Sequence, residues 1–482
     1  MTQSTLQSTS ELASKLILES CFATMVRLAA ALRRGLSRSA RSRWVSRSIV
    51  PLALILHGGA SASPTNIIYI IGDGMGPAYT SAYRYFNDDP STKVVEATIF
   101  DKLLVGMAST YPDDDTYVTD SAAAATALAT SHKSYNGAIA VNSDKQVLPT
   151  LLEYAKAKQR TTAVVVTSQI NHATPASFLA HNEHRRNYNE IADDFLSNLI
   201  DNKPVADLML GGGQQYFVRE DRDLVAELRA LGYQYQDDFN ALSQLDRLPA
   251  LGLFAPKGLA PALDSPAPLR LSQMTEHALT LLPANPKGFV MMIEASQIDW
   301  CGHSNDIACA MAEMTDLAAT TQRIVDYIDQ HPNTLLVMTA DHSTGGLSLG
   351  ADGIYQWRGQ LLHSVKQMPS TLAKWLYESP AHLASEQAFY DFWQTHLGLP
   401  IDAEQRNEYR QQLQTALAQD NGVKEATRLL KQQIDTLTST GWTTGGHDAV
   451  DVQVFAYGQG AAQFNGHQDN TQIAKKLIDL IH

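Results

Sequence analysis

The stretch Glu294–His303, E-A-S-Q-I-D-W-C-G-H, places a carboxylate, Asp299, and an imidazole, His303, four residues apart. On a helical turn that spacing points both side chains the same way. Mixed carboxylate and imidazole ligands suit a borderline cation such as Zn2+. Taken alone, the pair is as well explained by the polar start of a helix. Three further segments bring in the same chemistry. N-I-I-Y-I-I-G-D-G-M-G carries Asp73, T-L-L-V-M-T-A-D-H carries Asp341 and His342, and T-T-G-G-H-D carries His447. Several unrelated caps and turns would have to coincide to give this set by chance.

A nucleophile and an anion clamp are also legible. V-T-D-S-A-A-A-A-T-A-L-A-T sets Asp120 and Ser121 before a run of strong helix formers. Ser121 then stands at a helix start, where free backbone amides and the helix dipole favour anions. A serine beside Zn2+ can be held as an alkoxide and needs no histidine base. Ser121 has no G-x-S-x-G setting, which argues against a serine-hydrolase elbow there. Between Ile170 and Arg186, Thr174 offers a hard oxygen that suits Mg2+ together with Asp73 and Glu294. Arg185 and Arg186 each offer a fork for a phosphate, and composition alone does not choose between them. His172, His181 and His184 are more simply read as surface or supporting residues.

Elements must bring these residues together. Continuous apolar runs of the kind buried in parallel sheets cover Ile67–Ile71, Thr162–Thr167, Leu208–Leu210, Phe289–Ile293, Leu335–Thr339 and Val452–Tyr457. Helical patterns alternate with them at Ser121–Ala129, Leu148–Lys158, Asn187–Ile200, Leu224–Leu231, Ser272–Leu282, Asp306–Gln330 and Asn470–Ile481. Alternation predicts an α/β fold, three layers α/β/α around a mostly parallel sheet. Ligands gather at the carboxyl ends of such strands. Residues 240–270 read as a loop-dominated connection, and 351–440, with helical runs such as Ala418–Leu437, as a cap or contact segment inserted between two ligand-bearing strands.

The first 62 residues differ in kind, with eight basic and two acidic side chains, the apolar run Ile49–Leu56 and the small-residue site Ala60-Ser61-Ala62. They predict a signal peptide and a periplasmic or secreted enzyme, with the catalytic domain at 63–482. Met25 offers an alternative start, and Arg33-Arg34 stands far from the apolar run for twin-arginine export. Eight apolar residues are too few to span a bilayer. Residues 63–482 then carry a net charge of −19, which disfavours nucleic-acid binding. An anionic substrate needs a local positive site, which bound divalent metals can supply. Cys301 and Cys309, eight residues apart along an expected continuous helix, are too distant to bridge, so no disulfide is expected.

Together, G-D-G-M-G, D-S-A-A-A-A-T-A, H-A-T-P-A, E-A-S-Q-I-D-x-x-G-H, T-A-D-H and T-G-G-H-D resemble the alkaline phosphatase family of metal-dependent phosphomonoesterases. The resemblance runs from Asn66 to Ile481, outside 351–440. It implies that Asp299, His303 and His447 hold one Zn2+ and that Asp73, Asp341 and His342 hold a second. Asp73, Thr174 and Glu294 would hold Mg2+. His172, counted with this third group, stands where enterobacterial members have an Asp. Ser121 would become phosphoserine. Arg185, eleven residues after Thr174 as in the family pattern, would clamp the phosphate. Trp300 replaces a Lys near the phosphate, and the His/Trp pair resembles cold-active marine bacterial members. A homodimer acting on small phosphate monoesters is expected. A serine nucleophile, no C-x-P-x-R signature and the third metal set separate the chain from sulfatases, diesterases and phosphoglycerate mutases.

Overall fold

The computed structural model describes residues 63–482. The expected leader and its cleavage site lie outside the described residues. A ten-stranded sheet, flanked by helices, forms the core. Its strands are β1 Asn66–Ile71, β2 Leu104–Ser109, β3 Thr161–Gln169, β4 Leu208–Gly212, β5 Gln234–Gln236, β6 Ala250–Leu253, β7 Phe289–Glu294, β8 Thr334–Thr339, β9 Val452–Gly458 and β10 Gly466–Asp469. Across the sheet the order is β10-β2-β9-β8-β1-β7-β3-β4-β6-β5. Every pairing is parallel except those of β9, which runs antiparallel to both β8 and β2. The central strands β1, β3, β7 and β8 are buried throughout, which is why they read as unbroken apolar runs.

Register levels the strand ends. Ile71 pairs with Thr339 on one side and with Glu294 on the other, and Glu294 pairs in turn with Val166. Asp73, Asp341 and Glu294 therefore leave the sheet at one height. The chain then turns sharply at Gly74, whose φ is +71° and where a Cβ would come within 2.8 Å of Asp299 Cα and Thr344 Oγ1. A side chain larger than hydrogen would force the ends of β1 and of the helix Gln297–His303 apart.

Residues 240–270 are mostly turn and loop, as expected, but they hold one strand the sequence reading did not name, β6, which pairs with β4 and β5. Two expectations need correction. The strands β2, β5 and β10, the last two at the sheet edges, were missed by the sequence reading; they are short or contain glycine and take their conformation from a neighbour. Cys301 and Cys309 do form a disulfide, with Cα atoms 5.5 Å apart. The continuous helix assumed between them is broken. Gln297–His303 ends at Ser304, the chain reverses through Asn305 at φ 49°, and Asp306 caps a second helix, Ile307–Gln330. The segment 351–440 carries four helices, Pro369–Glu378, Glu386–His396, Ala403–Leu417 and Gly422–Thr438, around their own apolar residues Leu372, Phe389, Trp393, Leu413 and Leu430.

Candidate active site

Ser121 opens the helix Ser121–Thr130, every residue of which is buried. Its alanines leave no bulky face, so the helix can lie deep against its neighbours. Asp120 caps it, accepting from Ala123 N at 2.9 Å. The same carboxylate accepts from Arg185 Nη1 at 3.1 Å, and Arg185 N donates to Gly137 O at 2.8 Å. The guanidinium is thus tied to the cap of the serine helix. Burial lowers the Arg185 pKa, but Asp120 outweighs it and the net shift is upward. Arg186 is exposed.

Ser121 Oγ lies 3.1 Å from His342 Nε2. His342 Nε2 also faces Asp341 Oδ2 at 3.2 Å and Asp73 Oδ1 at 3.5 Å, all three residues being fully buried. Burial, then the carboxylates of Asp341, Asp299 and Glu294, push Asp73 well above the ordinary range. Neither Asp73 oxygen has a hydrogen bond, nor has Asp341 Oδ2. Asp341 Oδ1 accepts from Gly74 N and His342 N, each at 3.0 Å. Carboxylate oxygens left bare in a buried place are costly unless a cation meets them.

The second group has the same character. His303 Nδ1 bonds Gly445 O and His447 Nδ1 bonds Thr119 O, each at 2.8 Å. Carbonyls accept only, so both Nδ1 atoms carry the proton and both rings turn Nε2 toward the same point. Those Nε2 atoms stand 3.1 Å apart, at 3.4 and 3.6 Å from the oxygens of Asp299. Burial, then the neighbouring His342, brings His447 down to about 4. Two imidazole nitrogens and a carboxylate converging on one point suit a divalent cation.

The third group joins Asp73, His172 and Glu294. Burial raises Glu294 to about 7, against hydrogen bonds to its Oε2 from Ser296 at 2.6 Å and Ser168 at 3.0 Å. Glu294 Oε1, Thr174 Oγ1 and His172 Nδ1 lack hydrogen-bond partners. Burial, then Arg185, holds His172 at about 3, hence neutral. Its ring meets Trp300 edge-on at 5.8 Å. Trp300 fits because residue 258 is glycine, where a Cβ would come 2.4 Å from its Cη2.

The structure therefore gathers Ser121, Arg185, Trp300 and all nine sequence-nominated ligand residues around the strand ends. His181 and His184 lie outside the metal groups; His181 Nε2 is engaged by Glu153 at 2.8 Å. Sequence reasoning missed Thr344, whose hydroxyl donates to Asp299 Oδ1 at 2.6 Å and lies 3.2 Å from His342 Nδ1. It missed Ser168 and Ser296 on Glu294 as well. A hydroxyl that orients a ligand leaves no spacing signal. One G-x-S-x-G does occur, at Gly346–Gly350, but Ser348 lies in a two-residue antiparallel strand and donates to Gly350 O, which is not an elbow.

Residues 64–481 match the family model described as alkaline phosphatase. The chain is similar to alkaline phosphatase 3 of Bacillus subtilis, 43% identical over 415 residues, which cover 86% of this chain and 88% of that protein. It is similar to the repressible alkaline phosphatase of Saccharomyces cerevisiae, 31% identical over 470 residues and covering 88% of this chain and 82% of that one. Among solved structures, a cold-active alkaline phosphatase from a psychrophilic Shewanella superposes with a TM-score of 0.79 at 48% identity, covering 86% of this chain and all of that one. With an acid-rich, histidine-bearing pocket at the level ends of its sheet, and a family match over residues 64–481, the chain belongs to the alkaline phosphatase family of metal-dependent phosphoric monoester hydrolases.

Proposed function

We propose that the chain hydrolyses phosphate monoesters in two displacements at Ser121, with zinc at Asp299/His303/His447 and at Asp73/Asp341/His342 and magnesium at Asp73/Thr174/Glu294. His172 borders the magnesium position and Trp300 walls the phosphate pocket. The observation that carries this reading is the placement of Ser121 Oγ, buried at a helix start and 3.1 Å from His342 Nε2, among carboxylate oxygens that have no hydrogen bond. When bound, the metals supply positive charge to the attacking and leaving oxygens. Arg185, held by Asp120, orients two phosphate oxygens with its fork. Ser121 Oγ bonds to phosphorus as the bond to the alcohol oxygen breaks. Water then attacks the phosphoserine, and inorganic phosphate leaves with Ser121 restored.

Acid quenching of turnover with an aryl phosphate, followed by peptide mass spectrometry, tests this directly. Phosphate is expected on Ser121 and absent from Ser121→Ala, whose rate falls by several orders of magnitude. Phosphate on any other residue, or preferred cleavage of a diester control, refutes the reading.

Export to the periplasm or the medium is supported by the leader-like first 62 residues and by the disulfide, a bond favoured in oxidising compartments. N-terminal sequencing of the purified native protein checks it; retention of the basic segment refutes it. A homodimer is supported by the exposed apolar residues Tyr85, Ile354 and Tyr355 around one surface cavity.

A further inference from the structure

The two chain segments that carry His303 and His447 are both held from one helix, Gly422–Thr438, which adds no ligand to any metal group. Lys431 Nζ donates to Ser304 O, at the carboxyl end of the helix that carries Asp299 and His303. An ammonium there complements the negative end of the helix dipole and satisfies a carbonyl with no partner inside the helix. One turn further, Asp435 Oδ1 accepts from Trp442 Nε1 at 3.3 Å. The indole of Trp442 closes over Gly345, where a Cβ would meet it at 2.7 Å. Gly345 N donates to Gly446 O at 2.8 Å, and Thr443 N donates to Gly345 O at 3.1 Å, so the residue after Trp442 and the residue before His447 are bonded to the same glycine. Asn305 Nδ2 crosses between the two segments to Thr444 O at 2.9 Å.

Lys431 and Asp435 are four residues apart and share a helix face. Burial raises Asp306 and Asp435, to about 6 and about 7, and the Lys431 charge draws both back down. The ammonium thus lies within reach of the cap of Ile307–Gln330 as well as of Ser304. External support is needed here. Gln297–His303 has seven residues, too few to hold itself in water. His303 sits on its last turn with 42% of its side chain exposed. Its Nε2 stands 3.1 Å from that of His447, so a small shift of either segment changes the seat the two nitrogens share.

We propose that Lys431 and Asp435 form a two-point clamp that fixes the separation of His303 and His447 and so sets how tightly their metal group retains zinc. Both are positioning residues, and the inference rests on the zinc reading of Asp299/His303/His447.

The test is the rate at which zinc passes from the holoenzyme to a chromogenic chelator, beside the melting temperature of the metal-free protein. Lys431→Met is expected to release one zinc ion about tenfold faster, the effect of removing a supporting contact to a metal ligand. Lys431→Arg should restore most of the retention, and Asp435→Asn should accelerate the same ion. The metal-free melting temperatures should match wild type. Release at the wild-type rate from both Lys431→Met and Asp435→Asn overturns the clamp. So does equal acceleration of every ion in step with a fall in metal-free stability, which is general loosening. His447→Ala separates the two levels of the argument. If wild type holds no zinc that His447→Ala lacks, the metal reading fails and the clamp with it. If it does, and the clamp variants release zinc normally, the clamp alone fails.

Discussion

Arg185 and Arg186 are neighbours of one type, and their surroundings tell them apart. Arg185 is tied to Asp120, the cap of the nucleophile's helix, while Arg186 faces solvent. Arg185→Ala should weaken binding of inorganic phosphate by about 2 kcal/mol, the worth of a charge-assisted hydrogen bond, and leave metal content intact. Arg186→Ala should change it by less than about 0.5 kcal/mol. Phosphate inhibition constants check both, and a larger loss at Arg186 reverses the assignment. Trp300 offers one donor and no charge where a lysine offers three donors and a positive charge. Trp300→Lys combined with His172→Asp should hold phosphate more tightly and lower turnover at alkaline pH, because product release limits turnover in many enzymes. The coupling between the two positions follows from their ring contact. Weaker or unchanged phosphate inhibition in the double variant, measured beside its melting temperature, sinks the idea. The acids and histidines that the structure clusters were legible in the sequence because a cation site restricts residue type. Thr344, Ser168 and Ser296 were not, since a hydroxyl bonded to a carboxylate carries no pattern of its own.

Among the elements, the central strands were readable because burial on both faces demands unbroken apolar sequence. The strands β2, β5 and β10 were not, because G-H-Q-D or Q-Y-Q becomes strand only when an edge recruits it. The disulfide was missed because both cysteines were placed on one helix. The break is local: Asn305 turns at φ 49° and bonds back to Gly302, and Asp306 caps the next helix. A second tie between elements makes a pH prediction. His181 bridges the helix Leu151–Ala157 and the loop after Ala173–Leu179, with Nε2 at 2.8 Å from Glu153 Oε1 and Nδ1 at 3.0 Å from Ala140 O. Both nitrogens face acceptors, so the ring is an imidazolium. Burial opposes that charge, but Glu153 outweighs it and raises His181; burial likewise opposes the Glu153 charge, and His181 leads the contacts that lower it. A raised histidine stabilises fully below its unfolded value of 6.5 and loses that share as pH rises through the folded value. The lowered Glu153 stabilises above 4.5 and loses its share as pH falls through its own folded value. His181→Gln should therefore cost about 2 kcal/mol near pH 6 and much less near pH 10. Equal losses of melting temperature at the two pH values contradict this.

At the scale of the molecule, residues 63–482 carry −19, so attraction of an anionic substrate is a local property of the pocket. The same surface exposes Ile354 and Tyr355 beside Tyr85. If a second copy covers them, sedimentation should give a dimer that Ile354→Ser/Tyr355→Ser shifts toward monomer. A wild-type monomer at micromolar concentration refutes the dimer, and a variant that stays dimeric refutes this face.

The antiparallel strand β9 follows the loop of His447, whereas Asp73 follows β1 at the other end of the chain. Ribosomal synthesis therefore delivers the pieces of the site in a fixed sequence. A nascent chain grown to residue 440 already displays Asp73, Thr174, Glu294, Asp341 and His342. It lacks His447, the strand that flanks β8, and the partner that holds β2 in the sheet. A chain stopped near residue 440 thus keeps most of the clustered acids and histidines but leaves one candidate metal group incomplete and one side of the sheet unpaired. Such a fragment would be born inactive, however much of the sequence it retained.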